Sequence, residues 1–209
     1  MTVSEDRREA VDFTEPFMTF GAAILMKKPR AGNKANVSSI KDLASQNVIK
    51  YGVIENGRTA DYFMKSDDPA YRLMWQEMSG NRDYGMLPNN KAGVRRVRQS
   101  DGRYAFITEG TTADYWVLRQ PCDLVKVDGK MDTRHYALAV RHNYQLKAKL
   151  NEALTQMKKD GVLKQLKRKW WDERSECSGA TNVISSWSLL SALITALTAV
   201  ASLQLNRSP

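Results

Sequence analysis

The sequence predicts an α/β fold, and two observations lead to that prediction. Short apolar runs typical of strands alternate with helix-like segments between residues 20 and 140, as they do in βαβ units. The chain has 209 residues, 42% of them hydrophobic, and a mean hydropathy of −0.51, which indicates a globular chain. A channel that crosses the membrane many times is excluded, since its spans would make the mean hydropathy positive.

The first predicted strand is the apolar run Phe20–Met26, which Pro29 ends. A short helix follows the cap Ser39, with Asp42 as the acidic residue of a capping box. Beyond residue 144, apolar stripes predict two helices separated by Asp160-Gly161. The elements predicted between these are strands at Val48–Val53, Tyr104–Thr108 and Tyr136–Val140, and helices at Thr59–Lys65, Ala70–Met78, Ala92–Gln99 and Thr111–Arg119.

An uncharged C-terminal run, residues 183–205, contains 15 apolar residues among its 23. A helix of this length reaches roughly 34 Å, enough for the hydrocarbon core of a bilayer, so we expect a single transmembrane helix here. Two alternatives remain. The small residues Ser178, Gly179 and Ala180 before the run resemble a lipid-anchor signal, and the run is also compatible with a buried C-terminal helix.

The formal net charge is +9, and residues 134–174 carry +7 of it. A basic chain is open to nucleic acid, an acidic membrane surface or an anionic ligand as a partner. The basic residues Lys164, Lys167 and Arg168 lie opposite a Leu/Trp stripe, as on the solvated face of an amphipathic helix. Without a second basic element to form a groove, we expect no nucleic-acid partner.

Cys122 and Cys177 are the only cysteines, too few for a four-ligand zinc site. They fit one disulfide in an extracellular chain, or two thiols in a cytosolic one. Phosphate-binding loops, dinucleotide fingerprints, nucleophile elbows and metalloprotease helices are all missing from the sequence. We therefore expect neither an enzyme nor a bound metal or cofactor.

Three sequence features suit an amino-acid ligand. Arg7 can hold a carboxylate bidentately. The segment 56–59 places backbone N–H groups and the Thr59 hydroxyl at a helix N-terminus, where an anion binds readily. Glu109 directly follows a predicted strand and can accept an ammonium group. Each feature is common by itself, so only the three together indicate an amino-acid ligand.

The set also carries a family resemblance. Thr2, Arg7 and the run Asp12–Met18 resemble the "T-x4-R … DF-[ST]-x-PFM" stretch of ionotropic glutamate receptors, and Tyr51–Thr59 resembles their ligand loop. The remaining matches are Ile24–Pro29, Ala92-Gly93-Val94, Tyr104–Glu109, Gln120–Asp123 and Lys169-Trp170-Trp171 with Cys177. These motifs occur in the same order as in the family over residues 1–177, and they resemble those of AMPA/kainate receptors.

The resemblance implies a two-lobed, periplasmic-binding-protein-like clamshell in which an α-amino acid, glutamate or glycine, binds between the lobes. Arg7 and Thr2 would hold its α-carboxylate, and Glu109 its α-ammonium group. Gly57, Arg58 and Thr59 would receive the side-chain carboxylate. Tyr136 would lie near the mouth of the cleft, and Cys122 would form the family's disulfide with Cys177, on an extracellular face.

Three departures from the family matter. Arg58 stands where the family has a serine. It either strengthens recognition of an anionic ligand side chain or bridges the cleft and shortens the pocket so that it suits glycine. His135 stands where the family has a glycine. The upstream half of the first lobe has no counterpart, and a short linker stands where the pore would be. We predict a partial first lobe at 1–29 and 142–174, a linker at 30–36, a second lobe at 37–140 and the candidate transmembrane helix at 183–205.

The resemblance further implies an amino-acid receptor of the plasma membrane, single-pass, with its ligand-binding part outside. Cleft closure is coupled to channel gating in full-length members, and other receptor subunits are possible partners. The alternative is a truncated, non-conducting regulatory subunit or fragment that no longer binds ligand.

Overall fold

A five-stranded mixed sheet forms the centre of the computed structural model, which describes residues 1–29 and 37–177. A second sheet has two strands, and helices pack on both faces of the large one. The strands are β1 (Asp12–Phe13), β2 (Met18–Lys27), β3 (Lys50–Ile54), β4 (Met86–Leu87), β5 (Tyr104–Glu109), β6 (Leu124–Tyr136) and β7 (Ala139–Val140). The α-helices are α1 (Glu5–Arg8), α2 (Ile40–Ala44), α3 (Arg58–Met64), α4 (Pro69–Gly80), α5 (Arg82–Gly85), α6 (Asn90–Gln99), α7 (Gly110–Val117), α8 (Lys147–Lys159) and α9 (Val162–Lys167), and a π-helical turn follows at Arg168–Asp172.

The order of strands in the large sheet is β4-β3-β5-β2-β6. Strand β3 runs parallel to β4 and β5, and helices make the connections between these strands, so the predicted α/β class is confirmed. Strand β2 is antiparallel to both of its neighbours, β5 and β6. The small sheet pairs β1 with β7. The predicted lobe boundaries stay a prediction. Strand β2, which lies within the segment 1–29 assigned to the first lobe, pairs with β5 and β6 in the large sheet.

Strand β2 is buried on both faces because helices cover both sides of the large sheet. Its alternate residues belong to two different core clusters: Ile24 and Met26 pack with residues of α2, α3 and α4, and Ala23 and Leu25 with residues of α6 and α7. A strand covered on both sides reads as a continuous apolar run, which is why residues 20–26 were recognisable as a strand.

Two predicted helix boundaries are confirmed. The Ser39 hydroxyl accepts a hydrogen bond from the Asp42 amide at the start of α2 (3.1 Å). The Asp42 carboxylate reaches back to the Ser38 amide (3.0 Å), one residue before the position that a capping box uses. Gly161 adopts a left-handed conformation, φ +72°, and separates α8 from α9.

The prediction of one strand at Tyr136–Val140 was wrong. Strand β6 ends at Tyr136, and β7 begins at Ala139 in the other sheet. Between them the amide of Ala137 donates to the Met1 carbonyl (3.1 Å) and that of Leu138 to the Thr14 hydroxyl (3.1 Å). These bonds hold the chain where it passes from one sheet to the other, so residues 136–140 do not form one continuous strand.

The predicted Cys122–Cys177 disulfide is present, with 5.5 Å between the Cα atoms. Nearby, the Glu176 amide donates to the Leu118 carbonyl (2.8 Å), and the Glu176 carboxylate accepts from the Gln120 amide (3.0 Å). The segment after α7 is thereby fixed to the end of the last described helical turn.

Two expectations concern residues that the structure does not describe. The linker at 30–36 and the candidate transmembrane helix at 183–205 both lie outside the described ranges. Over residues 1–29 and 37–177, no helix is both long and apolar enough to cross a bilayer.

Replacing Gly85 by alanine should destabilise the large sheet and its helices. A Cβ atom at Gly85 would lie 2.1 Å from the Met78 carbonyl oxygen, which is backbone and cannot move aside cheaply. We expect the free energy of unfolding to fall by about 1–3 kcal/mol or more in urea denaturation. The control is Gly80→Ala, where a Cβ meets nothing within 4 Å. Equal midpoints for the two variants would contradict the packing described here.

Candidate ligand-binding site

A cavity of about 360 Å³ lies where the N-terminal segment meets the ends of β3 and β5. All seven residues predicted to bind a ligand line it, although they come from four separate segments of the chain. They are Thr2, Arg7, Gly57, Arg58, Thr59, Glu109 and Tyr136. A volume of this size is within the range of small-molecule sites, about 300–1,000 Å³.

Glu109 ends β5 and occupies the N-cap position of α7. Its Oε1 accepts a hydrogen bond from the Thr2 hydroxyl (2.6 Å), and its Oε2 accepts one from the Tyr136 hydroxyl. Both donors are neutral, so they orient the carboxylate without cancelling its charge. A carboxylate has about four acceptor positions, so further donors can still bind to Glu109.

Arg7 lies on the short helix α1 and is half-buried. Its Nη1 donates to the carbonyl oxygen of Thr2 (2.7 Å), which holds the guanidinium at the cavity. An arginine has five N–H donors in a planar fork, so others stay available for a planar anion. Thr2 itself is positioned by a bridge to Tyr136 in β6.

The turn after β3 brings Gly57, Arg58 and Thr59 to the cavity. Asn56 adopts a left-handed conformation, φ +57°, which asparagine tolerates better than most residues, and Gly57 is then the N-cap of α3. Thr59 is buried, whereas Arg58 is half-buried and also lines a neighbouring hollow beside Asp6. The position of Arg58 between the two hollows leaves both of its predicted effects open.

Tyr136 lies in the cavity wall, and its ring packs on Phe20 with 4.2 Å between ring centroids. Its hydroxyl is 3.0 Å from the Thr111 hydroxyl. Burial, and then the hydrogen bond to Glu109, raise the pKa of Tyr136 above the ordinary tyrosine value. The phenol therefore stays protonated and serves as a donor to Glu109.

One ion pair crosses from the N-terminal segment to the helices of the large sheet. Asp6 of α1 and Lys65, the C-cap of α3, are 2.6 Å apart, and both side chains are more than half exposed. Lys65 holds the pKa of Asp6 below its usual value. An exposed pair of this kind contributes little to stability and weakens in salt.

A larger hollow, about 760 Å³, contains none of the seven predicted residues. Its Lys126 is already paired with Asp114 (2.9 Å) and with Asp128 (3.3 Å). We place the candidate site in the smaller cavity, because a guanidinium and a carboxylate there face the same space with donors and acceptors to spare.

Sequence reasoning missed several residues of the cavity wall. Asn90 at the start of α6 and Thr108 line it, and the Thr108 hydroxyl donates to the Asn90 side-chain oxygen (3.3 Å). The apolar residues Ile54 and Ile107 also line the cavity. The clearest signal was the Asn89-Asn90 cap before α6, because helix starts of this sheet collect near the carboxyl ends of its parallel strands.

The arrangement suits a small zwitterion, since one wall has a cation and another an anion. A metal is a poorer fit: among the described residues no group of three or more His, Cys, Asp or Glu side chains could hold one.

Comparison with known proteins identifies the class of protein. Residues 1–173 match the family of bacterial extracellular solute-binding proteins, family 3, so the chain belongs to that family. Its resemblance to the ligand-binding domain of ionotropic glutamate receptors is confirmed at the level of curated relatives. The chain is 35% identical over 157 residues to glutamate receptor 3 of Mus musculus and 36% identical over 141 residues to that of Homo sapiens. These alignments cover 73% and 68% of this chain but only 18% and 16% of the relatives' length.

Among solved structures, the chain is similar to "Drosophila muscle GluRIIB complex with glutamate", with a TM-score of 0.74 and 34% sequence identity. The match covers 82% of this chain and 66% of that one. The periplasmic-binding-protein-like fold is therefore shown.

Proposed function

We propose that this chain binds an α-amino acid, glutamate or glycine, in the cavity lined by Arg7 and Glu109. The observation that carries the proposal is the presence of these two opposite charges in one cavity, each held by hydrogen bonds that leave its charge uncompensated. An α-amino acid at neutral pH has a carboxylate and an ammonium group on one carbon, and so matches both walls at once.

In this proposal the α-carboxylate pairs with the Arg7 guanidinium, and the Thr2 hydroxyl adds to that contact. The α-ammonium group binds Glu109. A side-chain carboxylate, where the ligand has one, lies beside Gly57, Arg58 and Thr59, whose N–H groups begin α3. Tyr136 closes one wall and holds Glu109 in place.

The mechanism is closure of the cleft. A ligand that touches both the N-terminal segment and the α3/β5 side favours the closed arrangement by its greater affinity for it. The Asp6–Lys65 pair spans the same two parts and would close with them. The glutamate-bound structural neighbour supports this ligand class.

We propose further that the ligand-binding part is extracellular and belongs to a membrane receptor, as suggested by the family description and the receptor relatives. The Cys122–Cys177 disulfide supports an oxidising compartment. Channel gating and assembly with other glutamate-receptor subunits are likewise only proposals, because the chain spans less than a fifth of the length of the curated relatives it matches.

A thermal-shift series on the full chain tests the proposal. L-Glutamate and glycine keep both α-groups, whereas glutarate lacks the ammonium group and γ-aminobutyrate has no α-carboxylate. We expect the melting temperature to rise with at least one of the first two and with neither of the others. No rise with any amino acid would favour the alternative of a fragment that no longer binds ligand.

A further inference from the structure

A buried arginine stands directly behind the cavity wall. Arg134 of β6 is only 4% exposed, and its Nη1 donates to the hydroxyl oxygen of Thr59 (2.8 Å), which itself lines the cavity. Its Nε donates to the Asp132 carboxylate (2.7 Å), and the guanidinium carbon is 5.9 Å from the centre of the Tyr62 ring. Among the described residues, neither Arg134 Nη2 nor Asp132 Oδ1 has a hydrogen-bond partner.

A buried cation with an unused donor is costly, so its position calls for a reason beyond packing. Asp132 balances the charge through a single hydrogen bond, and a second donor of the guanidinium, Nη1, is used by Thr59. The contact joins the last part of β6 to α3, 75 residues apart in the chain. Arg134 therefore acts on the cavity through the hydroxyl of Thr59.

The bond determines what that hydroxyl can do. A threonine hydroxyl has one donor and two acceptor positions, and arginine can only donate. Because the Thr59 oxygen accepts from Arg134, its own hydrogen is directed elsewhere, and since Thr59 lines the cavity, a ligand bound there can accept it. A donor whose oxygen is bonded to a cation is also polarised and bonds more strongly to a charged acceptor.

We propose that Arg134 is a positioning residue that fixes Thr59 as a hydrogen-bond donor, and so selects ligands with a side-chain carboxylate over short neutral amino acids. The inference rests on the proposed function and sharpens it, because it favours an acidic amino acid over glycine or alanine. The ligand contact itself is made by Thr59.

Calorimetric titration of the full chain with L-glutamate and L-alanine tests this, since alanine has the same α-groups and lacks the side-chain acceptor. The main variant is Arg134→Met with Asp132→Asn, which removes the buried cation and its counter-charge together. We expect the ratio of glutamate to alanine affinity to fall about 10-fold, equivalent to about 1.4 kcal/mol. Arg134→Lys, which keeps a cation and a donor, should recover part of the ratio.

A double-mutant cycle separates positioning from general stability. Thr59→Val removes the hydroxyl at nearly constant volume and should lower the ratio by a similar factor. Adding the Arg134/Asp132 pair to Thr59→Val should then change it less than about twofold, because the hydroxyl is already gone. Should the pair variant fail to fold, Arg134→Lys combined with Thr59→Val completes the cycle.

The outcomes are distinguishable. If the native chain binds neither amino acid, the proposed function fails, and this inference fails with it. If the native chain binds glutamate but the Arg134 variants weaken glutamate and alanine equally, Arg134 is merely structural and the inference is overturned. A loss specific to glutamate that disappears in the Thr59→Val background supports it.

Discussion

Replacing Arg7 by alanine should abolish amino-acid binding while leaving the fold intact. In the proposed site the guanidinium is the cation that pairs with the ligand's α-carboxylate, and its hydrogen bond to Thr2 goes to a backbone carbonyl rather than to a core side chain. Loss of one partner from a desolvated charge pair costs about 2–5 kcal/mol, so the dissociation constant for L-glutamate should rise by about 30-fold or more. Calorimetric titration measures this change directly.

Arg8 offers a matched control on the same helix. Its side chain is 51% exposed, and it pairs with Glu5 (3.4 Å) and with the face of Phe13. Arg8→Ala removes the same charge one residue further on, and should leave the dissociation constant within about twofold. Equal effects of the two substitutions would show that Arg7 acts through general electrostatics. Arg7→Lys should bind weakly, because an ammonium group cannot make the bidentate contact.

Glu109→Gln should weaken binding by a comparable factor for the opposite reason. The amide has nearly the same shape, and its oxygen can still accept from one of the Thr2 and Tyr136 hydroxyls while its NH2 group donates to the other, so the wall should persist. It loses the negative charge that pairs with the α-ammonium group. We expect about 100-fold weaker binding of L-glutamate, at an unchanged melting temperature of the free protein.

Glu15→Gln is the corresponding control, since Glu15 is exposed and its hydrogen bonds with Asn151 (2.8 Å) and with the Thr14 hydroxyl (3.1 Å) are made by its backbone amide and carbonyl. It should bind L-glutamate like the native chain. If Glu109→Gln also did so, the ammonium group would have to bind elsewhere, and the assignment of Glu109 would be wrong.

The central strands were predictable from sequence because their burial on two faces leaves continuous apolar runs. Residues 104–108 and 48–53 both fall on such runs and were located to within about two residues. Strand β6 was missed because it is an edge strand of the large sheet and carries charged residues at alternate positions. Its pattern of Val125, Val127 and Met131 alternating with charges was nevertheless a strand signal of period two.

The seven residues of the candidate site were predictable as a set, because the family's motifs occur in the same order along this chain, and the structure places all seven on one cavity. Arg134 was not predictable in this way. A buried arginine has no local signature: its role depends on Thr59, which folding brings to it from 75 positions away. Pairings of that kind follow from topology, which the sequence pattern alone did not resolve.

The most direct measurement is a crystal structure of the full chain grown with L-glutamate. The account predicts one glutamate in the 360 Å³ cavity, with its α-carboxylate on Arg7, its α-ammonium group on Glu109 and its side chain toward Thr59. A glutamate bound in the larger hollow, or a cavity without glutamate at millimolar concentrations, would contradict it.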